Sequence, residues 1–186
     1  MYGAYKFSTA IEELNKKIDK ENEGKPESEK KPHFKGIFGC EFYVDQNINI
    51  KQGKPNLAHL ILLAKNEKGF QNLCQLNSIA FVDGFYYKPR IDYDILSQHT
   101  EGLICLSACL AGDIPSLLLA NRYDEAKNLA LKLKDMFKED FYIELQNHFL
   151  PEQVEVLPKL DALAKELDIK TVATNDVHYT NKEDAE

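Results

Sequence analysis

Short β-branched and apolar runs alternate with amphipathic stretches along this chain, and that alternation predicts an α/β fold. The implied core is a parallel sheet, open or closed into a barrel. Three observations carry the expectation. Apolar runs at 36–44, 57–64, 103–107, 141–145 and 170–174 read as strands. Between the last four of them lie segments whose apolar residues recur three and four apart, the spacing of a helix face. A length of 186 residues with 44% hydrophobic content is enough for one domain with a real core.

Each element has its own justification. Residues 4–18 set Ala4, Phe7, Ile11, Leu14 and Ile18 on one helical face. Residues 19–33 contain no large apolar side chain, so burial there cannot offset the entropy of ordering, and a flexible charged insertion is expected. Strands follow at 36–44 and 57–64, joined by a polar loop at 45–56 and placed to pair as a hairpin. Lys68–Phe81 is a helix with Phe70, Leu73, Leu76 and Ala80 facing inward. After the 103–107 strand come a short helix at Asp113–Ala120, with Pro115 in its first turn, and a longer one at Tyr123–Phe137. The 141–145 strand leads to a helix at Pro151–Leu167, with Val156, Leu160, Leu163, Ala164 and Leu167 inward. Lys170–Thr174 is the final strand.

Composition narrows the function classes. A formal charge of −7 argues against a surface that coats nucleic acid, because phosphate binding rests on Lys and Arg. It leaves room for a local cleft holding metal ions, which bring positive charge of their own. No apolar run approaches the roughly 18 residues that span a bilayer. The first fifteen residues lack the layout of a secretion signal, and a cytoplasmic chain is expected. The four cysteines (Cys40, Cys74, Cys105 and Cys109) read as free thiols outside any zinc-knuckle spacing. GxGxxG, GxxxxGK[ST], GxSxG and HExxH are all absent.

The informative pattern lies at the strand ends. The last strand runs into Asp176-Val177-His178, a carboxylate and an imidazole two residues apart. The first runs into Gly39-Cys40-Glu41, the 103–107 strand into Ala108-Cys109, and the 141–145 strand into Gln146-Asn147-His148. In a β/α barrel the C-terminal rim gathers side chains from separate strands into one site. Carboxylate, imidazole and thiolate together suit Zn, Mn or Fe. Each residue alone has a plainer reading. Glu41 is a ligand or a solvated edge residue, and Cys109 a ligand or a small buried filler. His148 caps the Pro151 helix, bonds a loop carbonyl or binds metal. His59 enters its strand where the others leave theirs, so it reaches the same rim only if that strand runs antiparallel. His33 and His99 read as surface residues. Tyr86-Tyr87-Lys88-Pro89-Arg90 is either a phosphate-contacting cluster or a loop whose tyrosines pack on the domain.

Gly39-Cys-Glu41, His59-Leu-Ile-Leu-Leu-Ala-Lys-Asn66, Gly84-Phe-Tyr-Tyr-Lys-Pro-Arg-Ile-Asp92, Leu106-Ser-Ala-Cys-Leu-Ala-Gly112, Glu144-Leu-Gln-Asn-His148 and Ala173-Thr-Asn-Asp-Val-His-Tyr179 together resemble one family. It is the polymerase-and-histidinol-phosphatase (PHP) domain of the bacterial replicative DNA polymerase III alpha subunit. The resemblance spans nearly the whole chain apart from 19–33 and 45–56. It implies a distorted seven-stranded (β/α)7 barrel holding up to three divalent metal ions (Zn, Mn or Fe), with Mg at the polymerase site of the parent. By position it implies that Glu41, His59, Cys109, Asp176 and His178 are metal ligands, and that Glu41, Asp176 and His178 do the chemistry.

The activity it implies is DNA-directed nucleotidyl transfer in the parent, with 3′→5′ exonuclease proofreading by this domain. The alternatives are a non-catalytic docking module for a separate proofreading subunit and a stand-alone metal-dependent phosphatase. The implied partners are DNA and other replicase subunits, including a proofreading subunit and a sliding clamp. The family's opening His-x-His strand and Thr-Asp-His-Gly turn have no counterpart here. Residues 1–186 are therefore expected to form a partial PHP domain without its first strands, Met1 to be internal to a longer chain, and the piece alone to be inactive and prone to aggregate through unpaired edges.

Overall fold

The computed structural model describes residues Gly3–Ala185, which fall into two compact units, one up to Phe38 and one from Gly39 onward. In the first unit, helix α1 (Ala4–Asn22) runs past residue 18 into the charged stretch expected to be an unstructured insertion. The rest of that stretch carries a 3-10 turn at Glu27–Glu29. The reason is hydrogen bonding that hydropathy does not register. The Asn22 amide takes both backbone groups of Lys31, donating to its carbonyl at 2.9 Å and accepting from its N–H at 2.8 Å. Asn15 does the same with Phe34, at 2.9 and 2.8 Å. Asp19 meets His33 at 2.7 Å and Glu21 meets Lys31 at 2.7 Å. Side-chain amides thus stand in for a neighbouring strand and tie the returning segment along α1.

The second unit is a mixed α/β structure. Its strands are β1 (Gly39–Asp45), β2 (Ala58–Ala64), β3 (Arg90–Asp92), β4 (Leu103–Leu106), β5 (Phe141–Leu145) and β6 (Lys170–Ala173). They form one sheet in the order β3-β1-β2-β4-β5-β6. The helices are α2 (Glu67–Val82), α3 (Tyr93–Ser97), α4 (Asp113–Leu119), α5 (Tyr123–Phe137) and α6 (Pro151–Glu166). β1 and β2 make the expected antiparallel hairpin, and β2 is antiparallel to β4 as well. The β1–β3, β4–β5 and β5–β6 pairs are parallel. The sheet is therefore mixed, with β2 running against both neighbours. The helix-free connection between β1 and β2 returns the chain as a hairpin, which pairs antiparallel.

Strand β3, with three residues, and helix α3, with five, escape the sequence pattern because each is too short to display a period. A buried charge network holds them instead. The Arg90 side chain is completely buried. Its guanidinium donates to Asp45 Oδ2 at 2.6 Å, Gly84 O at 2.9 Å, Ile48 O at 2.9 Å and Ile50 O at 3.3 Å. Asp92 accepts from Ile48 N at 3.2 Å and, from the N-cap of α3, from Ile95 N at 2.9 Å. Arg90 thus ties the 48–50 loop and the end of β1 to β3, and it also lies over the Tyr86 ring, 5.2 Å from its centroid. The aromatic–basic cluster divides accordingly. Arg90 is a core residue, Tyr86 bonds Gly53 O at 2.9 Å, and Tyr87 stands in solvent at 71% exposure.

Two predictions follow from this interior. Arg90→Ala leaves the Asp45 carboxylate and three carbonyls without their donor. Denaturant unfolding should show a loss of about 3–5 kcal/mol, the range for breaking a buried pair on one side. The second concerns alkaline pH. Burial holds the Cys105 thiol well above its ordinary 9.0, and the Glu144 charge adds to this. Burial also holds the Tyr93 hydroxyl above its ordinary 10.0, reinforced by the charge of Asp113, which accepts its hydrogen bond at 2.8 Å. The unfolded chain releases these protons where the folded one keeps them. The stabilisation is complete below pH 9.0 and falls above it, by about 1.4 kcal/mol per pH unit for each group in play. Cys105→Ala should flatten the first part of that decline in denaturation curves taken across the alkaline range.

Candidate metal centre

The β1–β2 register builds the first half of the site. Tyr43 lies opposite His59 and Glu41 opposite Ile61, so Glu41 and His59 are diagonal neighbours on one face of the hairpin. Glu41 Oε1 reaches His59 Nδ1 at 3.1 Å, and the imidazole packs edge-on against the Tyr43 ring at 5.2 Å between centroids. Glu41 is not a strand-end residue as expected. Pairing begins at Gly39, opposite Leu63, so β1 starts later and Glu41 occupies its third position. His59 reaches this rim because β2 runs antiparallel, which was the condition for its inclusion.

The second half comes from the turn after β4. Ala108 adopts φ 66°, a left-handed conformation that costs an alanine roughly 1–2 kcal/mol. The turn persists because its other end is pinned. His59 N donates to Ala111 O at 3.0 Å and Gly112 N to Cys109 O at 2.9 Å. Space at Gly112 is so tight that a Cβ would sit 2.3 Å from Ser107 O, which demands glycine. The backbone that docks on His59 thereby brings Cys109 Sγ to 3.5 Å from His59 Nδ1.

The segment after β6 supplies the rest. Asp176 has φ 47°, and it lines a cavity of about 730 Å³ together with Cys109, His148 and His178. Desolvation pushes the Cys109 thiol up. A hydrogen bond with the Ala111 backbone works against this, and the charges of Asp176 and Glu41 add to the rise, so both carboxylates act on the sulfur. His178 is exposed and meets the Asp176 carbonyl at 2.8 Å through Nδ1. A carbonyl only accepts, so Nδ1 carries the proton and the Nε2 lone pair is left for a ligand role. His148 has neither ring nitrogen to spare. Its Nε2 bonds Asn175 O at 2.7 Å, and its Nδ1 faces Gln153 Nε2 at 3.0 Å. Of the readings open for His148, the loop-carbonyl bond is the one observed.

Of the five residues expected as metal ligands, the structure brings Glu41 and Cys109 each to His59, with Asp176 in electrostatic range of the sulfur and His178 on the same cavity wall. Among the described residues, no group of three or more His, Cys, Asp or Glu side chains is arranged to hold a metal ion. The donor chemistry (oxygen, nitrogen and sulfur) fits a transition metal, and a tighter set requires His59 to give up its present hydrogen bonds. Sequence reasoning missed Gln153 and Asn175, which hold His148. A buried glutamine on the apolar face of α6, three residues before Val156, was the available signal.

A mixed α/β sheet thus gathers carboxylate, imidazole and thiol groups from separate segments. The chain belongs to the PHP domain family, which it matches over residues 1–148. It is 48% identical over 160 residues to the DNA polymerase III subunit alpha of Borreliella burgdorferi, covering 84% of this chain and 14% of that protein. The Treponema pallidum subunit is 48% identical over 157 residues, 82% of this chain and 13% of that protein. The Aquifex aeolicus subunit is 37% identical over 193 residues, 99% of this chain and 15% of that protein. The chain thus spans a small part of the length of these relatives. Among the described residues no helix is long and apolar enough to cross a membrane.

The electrostatics at Cys109 predict slow alkylation. Held above its ordinary 9.0, the thiol is protonated at neutral pH and reacts with iodoacetamide more slowly than an unstructured cysteine peptide. Asp176→Asn removes one of the charges that raise it and should increase the rate, read residue by residue by mass spectrometry.

Proposed function

We propose that this chain is the PHP portion of a bacterial replicative DNA polymerase, part of a PHP-type barrel, and that the centre around Cys109 is a metal-dependent phosphoesterase trimming 3′ ends of DNA. The observation that carries this reading is the convergence of Glu41, His59 and Cys109 from β1, β2 and the turn after β4. Glu41, His59, Cys109, Asp176 and His178 would hold the metal ions. When bound, divalent ions activate a water and neutralise charge on the leaving oxygen. The chain's own part is positional. The hairpin register fixes Glu41 against His59, the pinned turn fixes Cys109, and the Asp176 carbonyl sets the His178 tautomer. Asp176, Glu41 and His178 are the catalytic residues of this proposal. Its partners are DNA and the other replicase subunits, including a sliding clamp, in the cytoplasm.

A second reading is a docking module for a separate proofreading subunit. It is favoured by the hydrogen bonds that now tie Glu41 and Cys109 to His59. One preparation of the intact polymerase tests both. Metal analysis should find Zn or Mn, single-stranded DNA should be shortened from its 3′ end, and Asp176→Asn should abolish the shortening and weaken metal binding at least tenfold, the lower end of what even outer supporting groups cost. A metal-free, inactive protein that captures the proofreading subunit would establish the docking role instead.

A further inference from the structure

A second, much smaller cavity of about 10 Å³ lies under the same turn, lined by Cys109, Glu144, Gln146, Gln153, Val156 and Leu160 among its walls. Three of these are buried polar residues: Glu144 at 4% exposure, Gln146 at 7% and Gln153 at 4%. Glu144 Oε1 is well served, accepting from Thr174 Oγ1 and from Gln146 Nε2 at 3.1 Å. The same Gln146 nitrogen also donates to Thr174 Oγ1 at 3.1 Å. The other oxygen of each residue is not served. Glu144 Oε2 and Gln146 Oε1 are, among the described residues, the two buried side-chain atoms without a hydrogen-bond partner.

Both are acceptors, so neither can satisfy the other. Whatever serves them must donate two hydrogen bonds. A water molecule does so, and the cavity has about the volume that one water needs. Two oxygens are too few for a hard cation, which takes six or more. Gln153 adds a donor, because its Nε2 has two hydrogens and the His148 bond uses one.

We propose that this cavity is the seat of one buried water molecule. It bridges Glu144 Oε2 and Gln146 Oε1, accepts from Gln153, and completes a polar network that runs from β5 through His148 to the Asn175 carbonyl. The network anchors the segment that leaves β6, and the proposal stands whether or not the neighbouring centre binds metal. Glu144 and Gln146 hold the Thr174 hydroxyl, and His148, itself held by Gln153, bonds the Asn175 carbonyl.

A high-resolution crystal structure of the intact protein should show a single density peak within hydrogen-bonding distance of both oxygens. In solution, that water should give long-lived NOEs to the Gln146 amide. Absence of the peak, or an anomalous signal there after rubidium soaking, overturns the assignment. Gln146→Met removes an acceptor, together with the Gln146 Nε2 bonds to Glu144 and Thr174, and should leave the cavity dry. Hydrogen exchange at Asn175–Val177 should then accelerate roughly tenfold, a change equivalent to about 1.4 kcal/mol, while amides of β2 stay as they were. Unchanged exchange at Asn175–Val177 counts against the network. If the variant fails to fold, the wild-type density and NOEs decide the question.

Discussion

The site rests on how β1 and β2 pair. Side chains alternate along a strand, so the pairing that sets Tyr43 opposite His59 also decides that Glu41 and His59 share a face. The same strand start receives the turn after β4, because His59 N bonds Ala111 O. One short stretch of backbone thus meets β1 with its side chain and the Cys109 turn with its amide. Glu41 and Cys109 come together only because both are referred to His59.

Left-handed backbone angles occur at Ala108 and Asp176, next to or at expected ligands, and also at Tyr87, Asn121, Lys138, Phe149 and Asp168. Among the described buried polar residues, Arg90 is the most deeply enclosed. Its fork gathers a carboxylate and three carbonyls from segments whose loops are otherwise irregular. It stabilises the strand farthest from Cys109 in sheet order, and the centre sits between regions held by different means.

Much of this was legible in the sequence. Strands and helices with a full period, such as β5 and α5, fall where the apolar spacing puts them. The sequence also named Glu41, His59 and Cys109 as candidates, and the structure brings Glu41 and Cys109 each to His59. What stayed hidden was decided by backbone pairing or by polar side chains. The antiparallel pairing of β2 with β4 is decided by hydrogen bonding across a long connection. β3 exists because of a buried arginine. Residues 19–22 are helical, and Lys31 is tied down, because an asparagine reads a backbone. His148 illustrates the same limit. Its motif left a helix cap, a loop-carbonyl bond and a ligand role open, and only the positions of Gln153 and Asn175 reveal both ring nitrogens already committed.

The reversed direction of β2 has an evolutionary corollary. An insertion or deletion of one residue within either paired strand would turn one donor to the opposite surface. The connection between them is also constrained, because Arg90 holds the Ile48 and Ile50 carbonyls and Tyr86 holds that of Gly53. The Asp176 arm, carried on another strand, can be gained or lost independently.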